Sequence, residues 1–431
     1  MTTTSVSPPS PPAESAPPRG RWGLWAHANF RKLWIGETTS GLGTAVGNVA
    51  LALVAVVTLE ASPFMVGLLT ASAWVPWLFL GLLAGAWVDR WPRLKVMLVC
   101  DLLLLLLFGS VPAAAWLGLL TMAQLVVVAL LAGAVKVFLS TANGAVLPTL
   151  VAKDDLLEAN VKLRSGDAAA EIAGPGLAGL LSQAFGAVSG LVADAVTYLV
   201  AAVCVGTIKA EEKPPPVAGR RGILKEIGEG VRFLVGDPYL RTLASFAAVG
   251  NLGLNGIQAV QTIFLIRSVG VSPGGVGAVF AVVSIGGLAG AALAGRIARR
   301  FGTARGLLLC ELVGAPFILL LPMAGERLPL AVSAVAWSVA VCGVIAGNVI
   351  AGSFYQAYCP PEMIGRIRAS ASTVNFSAIP VGALLGGWLG EALGARTTLW
   401  IMASVLLSAG AVLLASPLRR MRSFPERPGS A

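Results

Sequence analysis

The chain has 431 residues, 56% of them hydrophobic and 12% charged, with a mean hydropathy of +0.81. Soluble domains carry roughly 25% charge and under half apolar residues, so this composition excludes a soluble enzyme or binding module. Because the apolar character runs the whole length, a protein held by one membrane anchor is excluded as well.

In chain order, residues 1–29 open with Pro8, Pro9, Pro11, Pro12, Pro17 and Pro18 among Ser and Thr, the composition of a disordered tail and not of a cleavable signal peptide. A membrane helix needs about 20 apolar residues. Twelve such runs follow: 31–59, 65–87, 94–115, 121–146, 160–184, 187–208, 240–266, 274–298, 304–324, 329–352, 369–391 and 396–417. Spans five and eleven are diluted by charges or by Ser and Thr. With both termini cytoplasmic, 27 of the 31 basic residues fall inside, Arg267, Arg327 and Arg396 fall outside, and Lys136 lies within span four. The net charge of +10 thus reads as positive-inside topology, and nucleic acid is not an expected partner.

The expectation is an all-α protein of the plasma membrane, surrounded by lipid bilayer. Its parts are a cytoplasmic tail (1–29), a six-helix bundle (30–208), a cytoplasmic linker (209–238), a second six-helix bundle (239–418) and a basic cytoplasmic tail (419–431). The linker carries Pro214, Pro215 and Pro216, then a charged helical piece with Lys225, Glu226, Glu229 and Arg232. Cys100, Cys204, Cys310, Cys342 and Cys359 are odd in number and lack CxxC spacing, so no disulfide or metal framework is expected.

The two halves repeat in parallel. A shift of 210 residues places Phe30, Arg31 and Leu33 on Leu240, Arg241 and Leu243, and Ser62, Pro63, Val66 and Gly67 on Ser272, Pro273, Val276 and Gly277. It also places Gly85, Arg90, Lys95, Cys100 and Asp101 on Gly295, Arg300, Arg305, Cys310 and Glu311. Between spans two and three, Gly85, Asp89, Arg90, Arg93 and Lys95 form a loop that resembles the signature loop of the major facilitator superfamily. Pro92 stands where a second Gly is usual, and in the second copy Arg299 stands where Asp89 stands in the first. The resemblance covers roughly residues 30–417 and implies two six-helix bundles in a parallel pseudo-repeat. It also implies that the Asp89 loop is a conformational switch.

Phe30 to Trp34, Leu147-Pro148 and Glu158-Ala159-Asn160 are similar to the macrolide-efflux and enterobactin-exporter-like branch. The linker from Glu229 to Asp237-Pro238 shares that similarity. In span five, Gly174, Pro175, Ala178 and Gly179 resemble the Gly-Pro motif of drug:proton antiporters, although Val161 and Ala170 occupy positions where that longer motif has Gly.

Ionisable residues inside spans cost a few kcal/mol at the bilayer centre unless paired or hydrated. Glu37 in span one and Lys136 in span four are estimated at similar depth, which makes a Glu37–Lys136 pair an expectation. Asp167 and Glu171, four apart, share a face of span five in the same depth range. Together they form a candidate proton or cation-substrate site, with Glu171 the preferred proton carrier. A buried structural pair plus an interfacial acid is the alternative. Asp194 in span six reads as structural, hydrogen-bonding to a neighbouring helix. Asp101 and Glu311 read as partners of loop cations. Trp74, Trp77, Phe246, Phe264, Trp337 and Phe376 are candidates for an apolar binding wall.

No GxxxxGK[ST] loop is present. The GxSxG match at Gly270–Gly274 falls between spans seven and eight, away from the only histidine, His27, and lacks a strand-turn-helix context. The sequence is therefore not that of an enzyme, and no cofactor is implied. The leading expectation is a secondary-active exporter of a small apolar or amphipathic molecule, exchanged for protons and acting as a monomer. An importer or uniporter of the same fold is the alternative, and a non-transporting receptor or scaffold a remote one.

Overall fold

The computed structural model describes residues 23–88, 90–209, 223–359 and 364–425. Among these no strand occurs, and the only bridge joins Ala324 to Leu328. The first half contains α1 (Ala28–Leu53), α2 (Pro63–Val88), α3 (Arg93–Trp116), α4 (Met122–Leu150), α5 (Leu156–Phe185) and α6 (Ser189–Gly206). After α7 (Ile223–Gly236), which packs on the second half, come α8 (Pro238–Ile263) and α9 (Pro273–Phe301). α10 (Thr303–Leu309) continues as a π-turn (Cys310–Gly314) and a 3-10 stretch (Ala315–Met323). It is followed by α11 (Leu330–Tyr358), α12 (Ile364–Leu393) and α13 (Ala395–Ala415).

Among the described residues, eleven helical segments are long and apolar enough to cross a membrane. α5 is of comparable length, 30 residues, but it carries Glu158, Lys162, Arg164, Asp167 and Glu171. It packs along α1 all the same and completes the twelve.

The repeat is visible in the backbone. α1 and α8 begin and end 210 residues apart, and each passes into a five-residue π-turn, Val54–Thr58 and Phe264–Ser268. The turn that follows needs a left-handed residue. Gly270 supplies it with φ 78°, whereas the first copy uses Glu60 at φ 49°. Ser272, the centre of the GxSxG match, is the N-cap of α9 and accepts from the Gly275 N–H at 3.2 Å, with Pro273 in the first turn. The copies part at Gly302, whose φ of 87° is closed to its counterpart Pro92 at φ −57°.

The start of α1, the end of α6, the start of α8 and the stretch up to residue 425 lie on one face of the molecule, the terminal face; the loop between α1 and α2 lies on the far face. On the far face the bundles touch backbone to backbone. A Cβ on Gly179 (α5) would sit 2.8 Å from the Gly277 Cα (α9), and one on Gly387 (α12) 3.0 Å from the Gly67 Cα (α2). Arg267 donates to the Val56 carbonyl across the same face at 3.4 Å. Apolar packing follows this division. One cluster, including Leu53, Phe108, Tyr198, Ile257, Phe264 and Trp337, runs through both bundles toward the far face. Toward the terminal face each bundle has its own, around Phe30, Met97 and Val205 in one and around Leu240, Tyr358 and Leu413 in the other.

Two boundaries differ from the sequence reading. The order begins before residue 30, because Leu24 is 2% exposed and Trp25 packs edge-on against Trp34 at 4.9 Å. Past residue 418, Phe424 donates its N–H to Thr303 and packs on Phe354, and Arg422 accepts from the Arg305 N–H, so this stretch is tied to the second bundle. The Pro-rich residues 1–20, Asp89, and Pro214 to Pro216 lie outside the described residues.

Asp237 joins the linker to the second bundle. It caps α8, accepting from the Tyr239 and Leu240 N–H groups at 2.9 Å, and it also accepts from the Tyr358 hydroxyl at 2.7 Å. Burial, with the Asp237 carboxylate beside it, pushes the Tyr358 phenol well up, so it remains a donor throughout the neutral range. Asp237→Ala is expected to cost about 1–2 kcal/mol of stability and Tyr358→Phe less, read as a fall in the thermal midpoint of the purified protein. In a cysteine-free background, spin labels at positions 64 and 391 are expected to lie close together and to separate in Gly387→Leu. An unchanged distance removes the glycine seam as the far-face closure.

Candidate functional site

A cavity of about 670 Å³ runs from the terminal face to mid-depth, and its lining residues lie between Leu33 and Tyr198, all in the first bundle. α1 contributes Glu37, Ser40, Gly41, Thr44 and Asn48; α4 contributes Lys136, Ser140 and Asn143; α5 contributes Arg164, Asp167 and Glu171. All four predicted charges are therefore brought together, with Arg164 as a fifth.

Their pairing differs from the expectation. Glu37 accepts a hydrogen bond from the Asn143 amide at 2.6 Å, and neither Glu37 nor Lys136 forms an ion pair among the described residues. The reason is length: α4 runs to Leu150, through Pro148, four residues past the apolar run. At 1.5 Å per residue, Lys136 lies about 21 Å from the end of α4 and Asn143 about 10 Å. Glu37 lies about 14 Å along α1, so it meets Asn143, while Lys136 is level with Glu171, about 22 Å along α5. Lys136 instead stands over the Phe108 ring, 5.2 Å from its centroid, and Phe108 stacks on Tyr198 at 5.9 Å. Asp194 of α6 acts on it electrostatically without a direct ion pair. Asp167 pairs with Arg164 at 3.6 Å near the mouth.

Two prolines free backbone acceptors at the cavity. Pro175 and Pro148 have no N–H, so the carbonyls four residues earlier, of Glu171 and Gly144, lose their helical donors, and both residues line the cavity. Gly174 is pressed onto Ala45 of α1 and Gly179 onto α9, so the small residues of this motif pack on α1 and on the far-face seam. Of the loop before α3, Arg93 donates to the Ala145 carbonyl at 3.1 Å, within the same bundle; Asp89 is not among the described residues.

Other sequence readings are corrected. Asp101 and Glu311 are 2% and 4% exposed and have no ion pair among the described residues, because each helix carries them about two turns beyond the loop cations. Asp194 is fully buried, and neither carboxylate oxygen has a hydrogen-bond partner. Among the aromatics, Trp77 lines the cavity and packs with Trp74 and with Phe376 of α12 at 5.5–6.0 Å. Phe246, Phe264 and Trp337 are core residues. Asn143 and Tyr198 escaped the sequence reading. Asn143, seven residues after Lys136, falls on the same helical face, which is the signal that could have found it.

Comparison with known proteins bears on this arrangement. A family profile described as "Transmembrane secretion effector" matches residues 19–429. The chain is 26% identical over 365 residues to the multidrug efflux pump Tap of Mycolicibacterium fortuitum, covering 82% of this chain and 87% of that one. It is 28% identical to the uncharacterized MFS-type transporter YfiS of Bacillus subtilis, covering 88% and 90%. In fold it is similar to a crystal structure of the nucleoside transporter NupG, with TM-score 0.76, 13% identity, and 91% and 99% of the two chains covered.

Access to the cavity can be read directly. In the cysteine-free protein, Ser140→Cys is expected to react quickly with a water-soluble maleimide. Ser182→Cys, at a position 5% exposed on α5 toward the far face, is expected to stay unlabelled. Equal labelling contradicts a cavity open only to the terminal face.

Proposed function

The chain belongs to the major facilitator superfamily, in its transmembrane secretion effector family, and on that premise we propose that it is a secondary-active exporter of a small apolar or amphipathic molecule, exchanged for protons by alternating access. It is a multi-pass membrane transporter and not an enzyme. The observation that carries the proposal is the charge inventory of the cavity. Glu37, Asp167 and Glu171 line it against Arg164 and Lys136, and the arginine is engaged by Asp167. With the Lys136 ammonium over the Phe108 ring, the three acids outnumber the two cations, and the cavity, flanked by Trp77, suits an amphipathic cation.

Export is supported by the face on which the cavity opens. The excess of basic residues in the sequence segments expected inside supports a cytoplasmic reading of that face, where an exporter loads. The resemblance to an efflux pump agrees. On this reading the protein works as a monomer in the plasma membrane with both termini cytoplasmic. The loop of Gly85, Asp89, Arg90, Arg93 and Lys95 helps switch between states, and the Gly174, Pro175 and Gly179 stretch of α5 bends and closes on α9. A membrane potential adds about 2.3 kcal/mol per charge per 100 mV, enough for one proton to drive a substantial gradient.

Uptake of a panel of amphipathic compounds into inverted vesicles, with and without a pH gradient, tests the proposal. Gradient-dependent uptake of at least one compound is the expected outcome. Glu171→Gln is expected to abolish accumulation driven by the gradient while slower downhill exchange continues. Unchanged accumulation eliminates Glu171 from the coupling.

A further inference from the structure

Asp194 lies one layer behind the cavity wall. Its side chain is 0% exposed, and both carboxylate oxygens are buried without a hydrogen-bond partner. The Thr197 hydroxyl, one turn on, donates to the Asp194 backbone carbonyl at 2.7 Å and does not serve the carboxyl. α1 makes room with two glycines: a Cβ on Gly43 would stand 2.8 Å from Asp194 Oδ1, and one on Gly47 2.7 Å from its Cγ. A merely structural acid at this depth is normally hydrogen-bonded, because an unpaired buried carboxylate costs several kcal/mol.

The charged groups around it are few. From α4, Lys136 acts on it electrostatically. From its own helix comes Tyr198, whose hydroxyl is bonded to Thr44 at 2.8 Å. Asp101 of α3 and Glu37 of α1 act on Tyr198. The ionisable residues of α5 in this region, Arg164, Asp167 and Glu171, face the cavity. Lys136 and Glu171 thus line the same cavity, at similar depth by helix rise, and Asp194 is buried behind the wall that carries Lys136.

We propose that Asp194 and Lys136 are the coupling pair, in which the Asp194 carboxylate holds the Lys136 ammonium in the wall and a proton bound by Asp194 releases it to Glu171, where it displaces a cationic substrate. One O–H bond forms on Asp194, Lys136 remains an ammonium throughout, and one monovalent cation leaves, so the charge of the site is conserved. The inference rests on the cation-for-proton reading of the cavity and refines it. The proton assigned to Glu171 is held by Asp194 and reaches Glu171 as the lysine's charge.

The test is equilibrium binding of radiolabelled tetraphenylphosphonium to the purified full-length protein between pH 5.5 and 8.5. Wild type is expected to bind about tenfold or more weakly at the acid end. Asp194→Asn is expected to bind weakly at every pH, and Lys136→Gln tightly at every pH. The double variant is expected to behave like Lys136→Gln, since the lysine acts downstream. Lys136→Gln leaves the buried slot intact, so it keeps the test decisive even where Asp194→Asn fails to fold. Wild-type pH dependence retained in Lys136→Gln but lost in Glu171→Gln overturns the pair and leaves Glu171 itself as the proton carrier. Absence of tetraphenylphosphonium binding by the wild type at any pH overturns the cation reading, and the pair with it.

Discussion

The constraint on which the rest of the structure depends is the backbone-to-backbone contact of the two bundles on the far face. Gly179 meets Gly277 and Gly67 meets Gly387 with no side chain between them. In a bilayer, lipid tails are as apolar as leucine, so helices associate through close packing, and small residues are what allows it. Two such contacts, α5 on α9 and α2 on α12, fix both the distance and the tilt of the bundles. The shared apolar core lies toward this face, and the cores separate toward the other. Dispersion falls off within about an ångström of gap, so a contact of this kind is either made or lost. That property suits a structure with two discrete arrangements.

α1 is the second organising element, and its small residues explain why. Gly36 lies against Cys204 and Ala201, Gly43 and Gly47 receive Asp194, and Ala45 receives Gly174. A helix that packs this closely on both α5 and α6 has its remaining face turned to the cavity, where Glu37, Ser40 and Thr44 lie. The polar face and the glycine faces of α1 are thus one design. It brings Glu37 to the cavity and seals Asp194 away from it, so that two carboxylates on neighbouring helices occupy opposite environments.

Much of this was legible in the sequence. The constant offset of 210 residues located the repeat because it is carried by turn chemistry, Ser62-Pro63 and Ser272-Pro273, which local physics dictates. Glu37, Lys136, Asp167 and Glu171 were found because ionisable side chains at membrane depth are costly and therefore few. Their partners were not found, since partnership depends on where a helix ends. The apolar run of span four stops near residue 146, whereas α4 continues to Leu150, and four residues amount to about 6 Å of depth. Asp194 was misread for another reason: its defining property is the lack of a hydrogen-bond partner, which no pattern of residues displays.

The repeat also separates what the fold needs from what the cavity does. When the helix starts are aligned, Asp101 has its counterpart in Glu311, and both are buried away from the cavity lining. The cavity charges have none, nor has the acid behind them: Glu37 corresponds to Ala247, Lys136 to Val344, Asp167 to Asn375, Glu171 to Ile379 and the buried Asp194 to Trp400. In the second bundle, Asn375 instead accepts from Asn251 of α8, a neutral bond between the helices that correspond to α5 and α1. Acids shared by both halves therefore belong to the architecture, whereas acids confined to the first belong to its chemistry. Were charge at these positions required only to assemble a six-helix bundle, the second bundle, built to the same plan, would need it too, and it folds with amides and apolar residues in their place.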